Sequence, residues 1–265
     1  MSEAYIQRDN RPFEAHLEER TASRAAAFLL PHLRPEMRLL DIGCGPGTIT
    51  LGLAERLTHG QVLGIDVQPA MVERARQLAA TRGLTNVRFD VADVYDLPVA
   101  DGSVDAALAH MVLMHLREPV RALGEVRRAL VPGGVVGLRD ADLATTVRSP
   151  STPEWEHFLD LRRRAHELQG SDPSAARRHR QYLLSAGFAR TEAQATTEGV
   201  AGSLAQAGRR ASWLKAQLAG FARTAIAEGW IDQVGVDAIA ADIDAWSLRP
   251  DGVFFTVVCE TLGWV

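Results

Sequence analysis

Leu39-Leu40-Asp41-Ile42-Gly43-Cys44-Gly45-Pro46-Gly47-Thr48 is the stretch from which the rest of the chain can be read. The apolar run from Met37 to Ile42 stops at a cluster of glycines and passes into the helical pattern Thr48 to Leu57. That order describes a strand, a tight turn and the start of a helix. Glycines at the turn let the backbone take positive φ and let a ligand approach bare main chain. The first turn of the helix offers N–H groups that have no partner inside the helix, a natural place for an anionic group.

The spacing Gly43-x-Gly45-x-Gly47 departs from the G-x-G-x-x-G of a pyrophosphate-binding turn. Asp41, at the end of the strand, would repel a pyrophosphate. It would attract a ligand carrying an ammonium and a sulfonium, whose carboxylate the helix N-terminus can accept. S-adenosylmethionine (SAM) carries those groups, and the turn suits it better than NAD. A second apolar run, Val62 to Ile65, ends at Asp66-Val67, at the distance a strand–turn–helix–strand unit requires. A carboxylate there can accept hydrogen bonds from both ribose hydroxyls. A third run, Val87 to Val91, leads to Asp93-Val94, where the carboxylate can accept from the adenine amino group and the valine can pack on the ring. Met71, in the helix that opens at Pro69, is placed either to touch the adenosine or to fill the core. The expected cofactor set is Asp41, Gly43, Gly45, Asp66, Val67, Met71, Asp93 and Val94, with His110 beside the glycine turn.

Four segments, LLDIGCGPGTIT (39–50), GIDVQPAMVERAR (64–76), VADVYDLPVADGSVDAALAHMVLMHL (91–116) and LVPGGVVGLRDAD (130–142), resemble the successive motifs of class I SAM-dependent methyltransferases. They are most similar to the bacterial branch that includes the ubiquinone and menaquinone C-methyltransferases. The resemblance is dense over about residues 20–142 and generic beyond. It implies a Rossmann-like fold, SAM as cofactor and S-adenosylhomocysteine (SAH) as product, and it says almost nothing about the acceptor.

The periodicity supports that fold. Strands at 37–42, 62–66, 87–91, 104–108 and 135–140 alternate with helical patterns at 48–57, 69–78 and 118–130. This is the signature of an α/β, doubly wound, mostly parallel sheet whose ligand lies across the strand C-termini. Thr21 to Leu33 also has helical spacing. From residue 143 the alternation breaks: helices are expected at 155–168, 175–186, 203–228 and 231–246, an edge strand at 187–197 and a last strand at 252–261. The chain is expected to form one SAM-binding domain over 1–265. Stretches 143–172 and 199–250 are added helical cap elements, and residues 1–20, with Tyr5, Phe13 and His16, form an arm or flap. Such long insertions carry function or an added packed element. Here they suggest either the roof of an apolar substrate chamber or the interface of a homodimer.

Methyl transfer asks the protein to align a nucleophile, exclude water and remove a proton where there is one. His110, at the end of the fourth strand, is the candidate base, with lining the SAM pocket as its alternative role. Asp140, at the end of the fifth strand, is the second catalytic candidate, able to orient a hydroxyl or amine, and Asp142 shares that reading. Arg139 can bind an acidic substrate or pair with a neighbouring carboxylate, and His115 reads as a core or capping residue. No Cys/His spacing suggests zinc and no acidic residue ends the fourth strand, so no metal is expected.

A net charge of −4 gives no basic footprint for nucleic acid or an anionic membrane. No apolar run is long enough to span a bilayer, and the first residues lack the pattern of a signal peptide. Two cysteines, Cys44 and Cys259, make no disulfide framework and point to a reducing cytoplasm. Of 29 basic residues only Lys215 is lysine, which fits a GC-rich, actinobacterium-like source. The expected activity is methylation of a small metabolite on O, C or N, in bacterial secondary metabolism. The alternatives are a SAM-binding cyclase or pericyclase and a non-catalytic SAM-binding partner protein.

Overall fold

The computed structural model describes residues 10–265. Strand β1 (Arg38–Ile42) is exposed only at its first residue; the next four are buried, as expected of a central strand covered on both faces. It runs parallel between β2 (Gln61–Asp66) and β4 (Val104–His110), with Leu40 opposite Leu63 on one side and Ala107 on the other. The outer parallel strands are β3 (Val87–Val91) beside β2 and β5 (Leu130–Ser149) beside β4. The last strand in sequence, β7 (Val253–Trp264), inserts antiparallel between β5 and the edge strand β6 (Arg190–Ala201). The sheet order is therefore β3-β2-β1-β4-β5-β7-β6.

Helices α3 (Thr48–Arg56), α4 (Pro69–Arg82) and α5 (Pro119–Ala129) make the crossovers between parallel strands. α4 opens with proline in its first turn and closes on Gly83 in the left-handed conformation, the start and stop signals its sequence carries. Alternate residues of β1 serve opposite faces. Leu40 and Ile42 pack with Leu123 and Val126 of α5, whereas Leu39 packs with Leu53 and Leu57 and with Leu29 of the N-terminal segment.

A third core lies at the β7–β6 end. α6 (Pro153–Gln169), α8 (Leu204–Ala227) and α9 (Gln233–Ser247) bring Trp155, Phe158, Phe221, Ile243 and Trp246 together against Phe254 of β7. Trp155 stacks on Phe158 with ring centroids 5.1 Å apart and meets Phe254 edge-on at 6.1 Å. Trp246 donates its Nε1–H to the Ser149 carbonyl at 3.1 Å, which ties α9 to the end of β5. α1 (Arg11–Leu17) sits over α8: Asn10 donates through Nδ2 to the Ala216 carbonyl at 2.7 Å, and Phe13 is buried. No helix among the described residues is long and apolar enough to cross a membrane.

Two elements differ from the sequence reading. Thr21 to Leu33 is not one helix but a single turn, α2 (Ala22–Ala25), a bend and a 3-10 turn at Leu30–His32. Pro31 lacks the N–H that a continuous helix would need, and its ring would collide with the preceding turn. The fifth strand does not stop at residue 140 but runs to Ser149, so residues 143–149 belong to the sheet. An irregularity in its pairing with β7, between Asp142 and Val147, lets Val147 resume opposite Phe255.

Candidate functional site

The carboxyl ends of β1, β2, β4 and β5 open into a cavity of about 530 Å³. Its floor is the glycine turn. Gly43 has φ +66°, and a Cβ there would sit 2.6 Å from Val112. Gly47 has φ +84°, and a Cβ would meet the Ala75 side chain at 2.8 Å. Both positions thus need glycine for conformation and for space. Gly47 is also the N-cap of α3 and makes no side-chain cap bond to the helix terminus.

Asp41 and Asp66 face this floor. The Asp41 Oδ2 accepts from the Thr50 hydroxyl at 2.6 Å. Asp66 accepts from two backbone groups, Gly45 N–H at 3.0 Å and Gln68 N–H at 2.9 Å, which fix its plane and leave further lone pairs on both oxygens. Burial raises the Asp41 carboxyl to about 7, with Thr50 opposing the shift and Asp66 adding to it. Burial likewise raises Asp66, against the pull of its two N–H donors. Among the described residues neither carboxylate has a basic side chain paired with it. Two buried carboxylates sharing one wall without a counter-charge call for a ligand that brings positive charge and hydroxyl donors, and SAM brings both.

Val67, Met71, Asp93 and Val94 line the same cavity, as do Gly43 and Gly45. Asp93 is half-buried and held by the Tyr95 N–H at 3.1 Å. The structure therefore gathers all nine residues of the expected cofactor set, His110 included, around one space.

His110 lies in this space with a constraint that the sequence did not show. Its Nε2 is 3.0 Å from Nη1 of Arg139, directly opposite in the β4–β5 register. A guanidinium only donates, so Nε2 is the acceptor and the ring proton is on Nδ1, which is buried and has no partner among the described residues. Burial first, then the charges of Arg20 and Arg139, push its basicity well below that of an ordinary imidazole. Arg139 in turn donates to Glu260 at 2.9 Å and to Glu198 at 2.6 Å. Of its two expected roles, pairing with carboxylates is the one the structure displays.

Asp140 must be corrected. Neighbouring residues of a strand point to opposite faces, and on β5 Arg139 and Ala141 face the cavity while Asp140 does not line it. Its carboxylate is fully buried on the other side, 2.9 Å from Nε2 of His179 in α7 (His179–Ser185). Asp142 likewise turns away and accepts from Arg177. Neither carboxylate reaches a ligand in the cavity. His115, read from the sequence as a core or capping residue, is half-buried, lines the cavity and stacks on His166 of α6 with centroids 5.6 Å apart. His16 lines the cavity and lies 3.4 Å from Ser212 of α8. Tyr5 falls outside the described residues.

The sequence reading expected the stretches 143–172 and 199–250 as a cap but named none of the side chains that α6 and α8 bring to the cavity, among them Arg162, His166, Arg210, Trp213 and Phe221. Arg162 could have been noticed. In Trp155-Phe158-Arg162-Ala165 it occupies a place in the apolar stripe of α6, while Arg163 and Arg164 fall off it.

A doubly wound sheet of this order, with acidic residues at successive strand ends around a glycine turn, is the frame of a SAM-binding protein. The Methyltransferase domain family matches residues 33–171, just over half of the chain, and the protein belongs to that family. Its cofactor is SAM. Among its relatives is an uncharacterised methyltransferase of Schizosaccharomyces pombe, 33% identical over 176 residues, covering 64% of this chain and 63% of that one. A demethylmenaquinone methyltransferase of Thermus thermophilus is 41% identical over 97 residues, 37% of this chain and 44% of its own, in keeping with the quinone-type branch. The chain thus spans less than two thirds of the length of these relatives. Among solved structures, the [4+2]-cyclase SpnF superposes with a TM-score of 0.52 at 26% identity, over 96% of this chain and 80% of that one.

Asp41 is expected to make cofactor affinity depend on pH. Its carboxyl is raised to about 7 in the ligand-free protein, whereas a bound cation favours the ionised form, so binding below pH 7 must expel a proton. SAM affinity is expected to fall by up to about tenfold per pH unit below 7. Asp41→Asn should flatten that slope in calorimetry, and a slope identical in both proteins would exclude Asp41 as its source. The same shift acts on folding in the opposite sense. The stability this group contributes is full below about pH 4, where the unfolded carboxyl is also protonated, and is lost as pH rises through about 7.

Proposed function

We propose that the protein transfers the methyl group of SAM to a small organic acceptor held between the sheet edge and helices α1, α6 and α8. One observation carries this reading: a single cavity of small-molecule size, about 530 Å³, is lined both by the cofactor carboxylates and by the side chains of α6 and α8. The arm 10–20, α6 and α8 are its roof, with α9 packed against α6 and α8, and the buried Phe13 and the Asn10–Ala216 bond support that reading of the arm. When bound, SAM supplies an electrophilic methyl group on a good leaving group. Asp41 balances its positive charge, Asp66 holds the ribose, Asp93 and Val94 receive the adenine, and the roof excludes water.

His110 serves this reaction as a lining donor through Nδ1–H rather than as a base, because its only lone pair is taken by Arg139. His110→Ala is expected to lower kcat by less than about tenfold. A loss of a hundredfold, with a histidine limb in the wild-type pH–rate profile, would reinstate it as the base.

The test of the function is transfer of isotope-labelled methyl from SAM into an actinobacterial extract separated by size. Label in a small-molecule peak is expected; label confined to protein or nucleic acid would overturn the reading. A second reading, ring closure without methyl transfer, is favoured by the likeness to SpnF and by the lack of a free lone pair on His110. It predicts bound SAM with no label transferred. In either case a role in secondary metabolism inside the cytoplasm is part of the proposal.

A further inference from the structure

Arg162 is buried in α6, with 4% of its surface exposed, and it borders the cavity. Its Nη2 donates to the Leu143 carbonyl at 2.9 Å and to the Thr146 hydroxyl at 3.1 Å. Its Nη1 is buried and finds no partner among the described residues. The other buried arginines are neutralised: Arg139 by Glu260 and Glu198, and Arg148 by Asp242 at 2.6 Å. Burial lowers Arg162 to about 10 and leaves it charged at neutral pH; its guanidinium lies over the Phe158 ring, 5.5 Å from the centroid, and no carboxylate pairs with it among the described residues. An isolated buried cation with an idle donor is among the most unfavourable arrangements a protein can keep.

The surroundings sharpen the point. The neighbouring imidazoles supply no charge, because burial holds His115 down at about 3 and His166 at about 4. Glu198, the carboxylate facing the cavity from β6, is already engaged by Arg139 and is also acted on by the charge of Arg210. Leu143, Phe221 and Phe254 add apolar lining to the same cavity.

We propose that Arg162 is the anchor for a carboxylate of the acceptor, so that the chamber takes carboxylic acids with an apolar or aromatic body. The inference rests on the reading of this cavity as the acceptor chamber and names its substrate class. A planar guanidinium with a free donor matches a carboxylate in geometry. One carboxylate balances the Arg162 charge, and Arg24, Arg209 and Arg210, which line the same cavity, also favour an anionic ligand there.

The experiment is calorimetry on the full chain saturated with SAH, using four acid–amide pairs as probes: benzoate, phenylacetate, cinnamate and 2-naphthoate, each against its carboxamide. In the wild type at least one acid is expected to bind about tenfold or more tighter than its amide. Arg162→Met should bring that ratio to about one while leaving SAH binding intact, and Arg162→Lys should keep part of it. Equal binding of acid and amide in every wild-type pair overturns the proposal, as does an acid preference that survives in Arg162→Met. The wild-type ratio stands on its own should the methionine variant fail to fold. Loss of SAH binding in the wild type overturns the cofactor reading instead, and the acid–amide ratio is still read.

Discussion

Asp66→Ala is expected to weaken SAM binding about a hundredfold, close to 3 kcal/mol, by removing the acceptor of two ribose hydroxyls. The geometry supports a loss of this size. The carboxylate is held by Gly45 N–H and Gln68 N–H, so it meets the ribose without first being ordered. The alanine variant also frees those two N–H groups, which loosens the glycine turn itself. Asp66→Asn separates the two effects, since its amide oxygen can keep one backbone bond while its NH2 group cannot accept from ribose. Titration of SAM and of SAH into the three proteins reads the result. An affinity unchanged in Asp66→Ala would remove the ribose from this strand end.

Asp140→Ala is expected to destabilise the fold by about 3 kcal/mol and to leave SAM affinity near that of the wild type. Asp140 and His179 are both buried on the face of β5 away from the cavity, with 2.9 Å between them. Removing the carboxylate strands an imidazole nitrogen where water does not reach it, and the lost partner is a charge-assisted one. Urea unfolding measures the first effect and calorimetry the second. A variant of unchanged stability that has lost turnover would return Asp140 to the reaction.

These two aspartates show what a sequence can and cannot reveal about such a site. Asp41, Asp66 and Asp93 were legible because each stands at or just past the end of a short strand, and the strand, turn and helix around it are local in sequence. Asp140 was not legible in the same way. β5 is buried on both faces, so no polar–apolar alternation marks which residues point to the ligand, and Arg139 and Asp140 are one residue apart on opposite sides. Pro31 did carry a readable warning that 21–33 could not be one helix. The far wall depended on contacts between distant residues, such as Arg148 with Asp242 and Asn10 with Ala216, which no local pattern encodes. Arg162 lies between these cases. Its place in an apolar stripe is visible in the sequence, but its lack of a counter-charge is a property of the folded interior.

The account turns on one claim, that SAM lies along the strand ends between the glycine turn and Asp93. A structure of the full chain with SAH tests it most directly. The ribose hydroxyls are expected on Asp66, the adenine between Asp93 and Val94, and the amino-acid part at Asp41 and the glycine turn, with the sulfur facing the wall of α6 and α8. SAH found elsewhere in the cavity, with Asp41 and Asp66 left without a partner, would contradict it.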